Sequence, residues 1–251
     1  MQIDPTHTTM LRLQYSRQLT RLYRQFQKKI LPILTKIVIN LNKKYSIDRR
    51  VKMKTIRTIT DDVDRWLTRQ GDEIIIQPSK PVTERNIRQA YRKGAHKALS
   101  QLTDAQITYL TPADWDAFLL LEDINFSRIK DATVTMQNAI TYSTQRGILE
   151  GWGSNKIAYE IRRNIKGNSN MGMHRAKTIA RTEVINAYNV AAQNKYKQNG
   201  VKKYIWITSF DERTCEICSS LDGKIFSVGH GEVPPVHPNC RCSTSPIYEK
   251  R

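Results

Sequence analysis

Long apolar runs are missing from these 251 residues. The longest charge-free apolar stretches, Ile37–Leu41 among them, fall far short of the ~18–20 residues that a membrane-spanning helix requires, so no span is expected. The opening MQIDPTHTTMLRLQYSR lacks the apolar core of a secretory signal, which makes the cytoplasm the starting expectation. Cysteine is absent from the first 214 residues, and no internal repeat or low-complexity tract occurs. No phosphate-cradling loop is present either: GWGSN at 151–155 has the glycines but not the Lys-Ser/Thr that follows in a P-loop. What remains is 39% hydrophobic with a mean hydropathy of −0.56, and the apolar residues recur at regular spacing. With that regularity the modest apolar content does not force disorder, and the length suits one or two domains with a real core.

Acidic residues are scarce at one end only. Residues 1–60 hold 14 Lys/Arg against 2 Asp/Glu, residues 61–165 hold 14 of each, and residues 166–251 hold 13 against 7, giving a formal net charge of +18. A charge run is ordinarily a solvated face, but twelve excess positive charges in sixty residues point to a polyanion, either nucleic acid or an anionic membrane surface. The residues available for such contact are Arg12, Arg17, Arg21, Arg24, Lys28, Lys29, Lys43, Lys44, Arg49 and Arg50.

Those charges are interleaved with an apolar stripe. Tyr15, Leu19, Leu22, Tyr23, Phe26, Ile30, Ile33, Leu34, Ile37, Leu41 and Tyr45 follow steps of three and four, the period of one helix of about 35 residues, with Pro32 expected to kink it. Such a stripe must pack on the rest of the chain, a partner or lipid. Its tyrosines could stack on unpaired bases, although a core stripe is the simpler reading. A second helical stretch covers 47–70 and closes at Gly71. GDEIIIQPSKP then reads as a break, with Thr83 the N-cap of a helix running to Leu102. Helix restarts at Pro112–Asp114 and runs past Ile148, residues 155–165 form a short helix, KGNSNMGM reads as a loop, and helix returns from His174 to Gln198 with Gly200 as its stop. KKYIWIT alternates and reads as a strand. The fold class is therefore mainly α with a small α+β C-terminal module: a basic helical arm over 1–80, a body from 81 to 251, and a Cys/His module at about 203–247.

All four cysteines fall in that module, as Cys215-Glu-Ile-Cys218 and His237-Pro-Asn-Cys240-Arg-Cys242. Two ligand pairs separated by about 20 residues fit a tetrahedral zinc site, because each short turn brings two donors to one ion. The first choice of ligands is Cys215, Cys218, His237 and Cys240, with Cys242 competing for the last position and His230 a weaker candidate. Four protein donors leave no open position, so such a zinc would be structural and would contribute folding free energy to a module with little apolar surface. Two disulfides could use the same thiols, but no export signal accompanies them. A redox CxxC lacks its expected βαβ context.

The ordered series Ala180-Arg181-Thr182-Glu183, Ala187-Tyr188-Asn189, Tyr204-Ile205-Trp206, Asp211 through Cys218, Leu221 through Phe226 and Pro234 through Cys242 resembles the phage head-morphogenesis family, the Mu F-like minor capsid proteins. The resemblance covers roughly 85–247 and is densest over 179–244. It implies a minor head protein of a tailed bacteriophage inside the capsid near the portal, partnered with portal and with major capsid or scaffold protein, and linked to assembly, packaging or ejection. Some relatives carry toxin or ADP-ribosyltransferase domains after the shared module; the sequence closes nine residues after Cys242, so none is expected here. No enzyme activity is expected: residues two apart on a helix do not face each other, so Arg181 and Glu183 are not a pair and are expected to bond neighbouring elements instead. The basic arm is expected to hold double-stranded DNA without reading its sequence. Two rival readings stand beside this one, a membrane-active ejection protein using the amphipathic arm and a zinc-dependent nuclease.

Overall fold

The computed structural model describes residues 4–44, 49–102, 105–150, 152, 154–209 and 211–247. Five long helices, α1 (Thr9–Lys44), α2 (Arg49–Gly71), α3 (Gln77–Ser100), α4 (Pro112–Leu149) and α5 (Ser154–Gln198), precede a small sheet. The sheet holds β1 (Lys203–Ile207), β2 (Ile225–Ser227) and β3 (Ser243–Ile247) in the order β2-β1-β3, all antiparallel, with the short helix α6 (Glu216–Leu221) between β1 and β2. The chain is thus mainly α with a small α+β C-terminal module, as its periodicities imply.

Packing divides the chain into two compact units, one of Met1–Ser16, Pro81–Asn125 and Thr178–Arg251, the other of Arg17–Lys80 and Phe126–Lys177. In the second unit the α1 stripe is core: Leu19, Tyr23, Phe26, Ile30 and Leu34 are buried, as are Val63, Leu67, Ile129, Met136 and Ile140 from α2 and α4. The Tyr23 hydroxyl donates to the Ile129 carbonyl at 3.3 Å, and Gln137 donates to the Leu67 carbonyl at 2.9 Å.

In the first unit, the Tyr15 hydroxyl meets Thr83 at 2.9 Å and Asn125 at 3.0 Å, all three buried. Gly94 of α3 lies against the α5 backbone, where a Cβ would stand 2.0 Å from the Tyr188 carbonyl oxygen; only glycine fits there. Thr111 and Asp114 cap α4: the Asp114 carboxylate accepts from the Thr111 N–H at 2.7 Å, and the Asp114 N–H reaches back to the Thr111 hydroxyl. The same carboxylate accepts from Lys195 Nζ at 2.8 Å, Tyr91 and Gln198, and Lys195 also donates to the Tyr109 carbonyl. Both charges are 1% exposed, so this is a fully buried, hydrogen-bonded ion pair. Burial pushes the Asp114 carboxyl upward, but the Lys195 and Thr111 hydrogen bonds outweigh it and hold the group at about 2.

Three local readings of the sequence are overturned. No break follows Gly71: a π-helical turn, Asp72–Ile76, leads directly into α3, with the Gln77 N–H bonded to the Asp72 carbonyl. Burial of Ile75 and Ile76 rewards the continuation, and the widened turn interrupts the usual ladder just before Pro78. Thr83 accordingly lies inside α3 instead of capping it. KGNSNMGM belongs to α5, because isolated glycines cost a helix only about 1 kcal/mol each and no proline stands among them.

Candidate metal centre

The module begins with a turn built on Asp211. Its carboxylate accepts from the Arg213 N–H at 3.0 Å and from the Arg213 guanidinium, while the Thr214 N–H returns to the Asp211 carbonyl. Arg241, which sits between Cys240 and Cys242, grips both oxygens of the same carboxylate. The hydrogen bond from Arg241, with those from Arg213, holds the Asp211 carboxyl below its ordinary range. One acid therefore ties the first cysteine turn to the last cysteine segment.

Cys215 is the N-cap of α6, its Sγ accepting from the Cys218 N–H at 3.4 Å. The His237 Nε2 lies 3.3 Å from Cys215 Sγ and 3.0 Å from Cys218 Sγ, and Cys218 Sγ lies 3.8 Å from Cys240 Sγ. His237 Nδ1 is 2.8 Å from the Pro238 carbonyl, which can only accept, so the proton sits on Nδ1 and the Nε2 lone pair is left facing the sulfurs. Two donor groups result, Cys215–Cys218–His237 and Cys218–Cys240–Cys242, sharing Cys218. A tetrahedral ion with Zn–S of ~2.3 Å sets its sulfurs about 3.8 Å apart, which is the observed Cys218–Cys240 separation. The donor chemistry and spacing therefore fit a zinc-type metal. His230 is exposed and belongs to neither group.

All four cysteines are free thiols, and 3.8 Å is well beyond a disulfide's ~2.05 Å. Their protonation is unequal. Hydrogen bonding from Cys242 holds the Cys240 thiol well below its ordinary range. The same hydrogen bond, then burial, pushes Cys242 up, and burial together with the Cys240 charge pushes Cys218 up to about 12.

Beneath the sulfurs, Trp206 of β1 packs with Cys218, Cys240 and Cys242, flanked by Leu221, Phe226 and Val236. The module is fastened to α5 by polar contacts: the Asn239 N–H donates to Thr182 Oγ1 at 3.0 Å, Asn189 to the Cys242 carbonyl at 3.1 Å and the Tyr196 hydroxyl to the Thr244 carbonyl at 3.1 Å. Asn239 adopts φ 63°, a left-handed conformation that asparagine tolerates, which turns its N–H toward the helix. Spacing alone shows none of these anchors; the Pro-Asn step inside the ligand run is the one local hint. Of the Arg181-Thr182-Glu183 run, the central threonine accepts the hydrogen bond from the module, Glu183 is buried and Arg181 is exposed.

The basic residues sort into three groups. Arg17, Arg21, Arg24, Lys28 and Lys29 are exposed, the first four at steps of four, three and four, which makes one ridge along α1. Arg12 is turned inward instead, 7% exposed and 2.6 Å from Asp4. The side chains of Lys43, Lys44, Arg49 and Arg50, and of Tyr45 on the apolar stripe, lie outside the described residues.

Residues 138–245 match the family model of the Phage Mu protein F like proteins, a segment that contains all four cysteines and His237. An uncharacterized protein of Haemophilus influenzae (strain KW20 / Rd) is 31% identical over 118 residues. That overlap is 45% of this chain but 25% of the relative, so the chain spans about a quarter of that protein's length. No solved structure matches.

Proposed function

We propose, from the Mu F-like segment at 138–245, that this chain is a minor head protein of a tailed bacteriophage, residing in the capsid interior near the portal and acting in head assembly, packaging or ejection. The observation that carries it is that the family segment coincides with a built module: the donor cluster, its Trp206 floor and its α5 anchors all lie inside the matched residues. In this reading Cys215, Cys218, His237 and Cys240 hold one structural zinc, and Cys242 stays outside as the hydrogen-bond donor to the Cys240 sulfur. When bound, the ion supplies a cross-link between the α6 turn and the His237–Cys242 segment. Asp211 and Arg241 pre-align those two segments, Pro238 fixes the His237 tautomer, and Thr182 and Asn189 seat the result on α5. The role is structural, with no catalytic step assigned to any residue.

The exposed ridge Arg17–Arg21–Arg24–Lys28 is proposed to lie along duplex phosphates, contacts that neutralise charge without reading sequence. A membrane-active arm has less to support it. The apolar residues it would insert, Leu19, Tyr23, Phe26, Ile30 and Leu34, are already buried, and among the described residues no helix is long and apolar enough to cross a membrane. The test is mass spectrometry of purified heads at successive stages. The protein is expected at low copy number in immature and mature particles; absence from every stage contradicts the assignment.

A further inference from the structure

Next to the cysteine cluster, within the same compact unit, lies a cavity of about 520 Å³ lined by Arg12, Arg181, Arg213 and Arg241, with Ser209 and Asn239. Four guanidinium groups line it, and among the described residues one carboxylate, Asp4, lines it with them, while Asp211 stands behind Arg213 and Arg241. Both acids are saturated from within. Asp4 accepts from the Thr6 and Thr8 N–H groups, the Thr6 and Thr9 hydroxyls and Arg12; Asp211 accepts from Arg213 and Arg241. The positive excess is consequently not cancelled. Arg12 is buried, yet its Nε has no hydrogen-bond partner among the described residues. Arg181 makes no hydrogen bond or ion pair among the described residues. Burial lowers the Arg12 pKa, and although Asp4 opposes this, the charges of Arg241 and Arg181 add to the lowering, a mutual repulsion that an anion in the cavity would relieve.

We propose that this cavity is a binding site for a phosphate group. The donors favour phosphate over carboxylate. A carboxylate presents two oxygens in one plane to a guanidinium fork, as Asp211 does to Arg241, whereas guanidinium groups converging from the N-terminal helix, α5 and the Cys-rich loop, with a hydroxyl and an amide beside them, suit an anion with oxygens on several sides. The volume exceeds one phosphate and leaves room for the group to which it is attached, whether a small phosphorylated compound or a nucleic-acid strand. Arg181 is the recruiting residue: exposed, uncommitted and held on a rigid helix. Arg12 is the buried donor that desolvated contact would complete. None of the α1 ridge residues takes part.

The experiment is calorimetric titration of the full chain with inorganic phosphate and with pyrophosphate, in the wild type, Arg181→Ala and Arg181→Lys. Saturable binding is expected, weakened about tenfold or more in Arg181→Ala, the loss expected for one charge-assisted hydrogen bond pair, and partly restored in Arg181→Lys. Because Arg181 is exposed and unbonded, its unfolding temperature should match the wild type, so a loss of binding cannot be attributed to misfolding. A labelled duplex separates the sources. If phosphate competes with the duplex and Arg181→Ala weakens both, the natural ligand is nucleic-acid backbone. If Arg181→Ala loses phosphate but holds the duplex with unchanged affinity, it is a small phosphorylated compound. No saturable phosphate binding in the wild type, or equal affinity in Arg181→Ala, overturns the site.

Discussion

The α1 helix and the Cys-rich module are held in place by opposite means. Along α1, large apolar side chains recur every three or four residues, and each buried one contributes on the order of 1.5–3 kcal/mol. In the module, the donor end buries Trp206 with three cysteines, the other end packs Tyr204 with Ala98, Ala192 and Tyr196, and hydrogen bonds to α5 and the Asp211–Arg241 clasp complete the fastening. Thiols are small, and three of them clustered at one place carry an electrostatic conflict that packing does not resolve. The contrast is that α1 rests on a long apolar stripe, while the donor end of the module sets sulfurs and an imidazole where the helices set apolar side chains. An ion should therefore matter greatly to one region and hardly at all to the other.

The largest expected effect breaks the helical side of this contrast. Lys195→Met leaves Asp114 buried without its counter-charge and should cost about 3–5 kcal/mol, read as a lowered midpoint in denaturant melts followed by helical circular dichroism. A variant melting with the wild type would mean that this ion pair does not hold α4 and α5 together. Less drastic is acid. Asp114 sits at about 2 in the folded chain against an ordinary 3.8, so its stabilising contribution of about 2 kcal/mol is fully present above pH 4 and is lost as pH falls toward 2. Asp4, also held at about 2, adds in the same direction, because its bonds from Thr6, Thr9 and Arg12 outweigh burial. Urea melts from pH 5 to pH 2 should show stability falling through that window, and a flat profile would remove the assignment. The mildest effect touches no core. Neutralising Arg21, Arg24 and Lys28 together should leave stability within about 0.5 kcal/mol while reducing the slope of log binding constant against log salt for duplex DNA by about 3. An unchanged slope would take the ridge out of DNA contact.

How much of this could be read from the residues follows from whether the information is local. The α1 stripe was legible because its period repeats over many turns, and the gathering of Cys215, Cys218, His237 and Cys240 was legible because Cys-x-x-Cys and His-x-x-Cys are short. Continuity through Asp72–Ile76 was not, since Gly71, Pro78 and Pro81 all signal a break and only the burial of Ile75 and Ile76 overrides them. Arg12 counted as an available cation until the structure paired it with Asp4, eight residues earlier, through a turn that no periodicity announces. The Asp114–Lys195 pair joins residues 81 apart, and the choice of partner among the chain's many charges is made by tertiary packing. The Arg-lined cavity is of the same kind: its arginines come from distant segments, and Arg181 stands out only once its neighbours prove to be committed.

The central claim is that the module is closed by one zinc ion, and the direct measurement is metal content of the full chain purified under reducing conditions, for the wild type, Cys240→Ser and Cys242→Ser. One zinc per chain is expected in the wild type, retained in Cys242→Ser and lost in Cys240→Ser, with chelation abolishing the near-ultraviolet signal of Trp206 while the helical signal persists. A metal-free wild type whose module signal is indifferent to chelator would contradict the account.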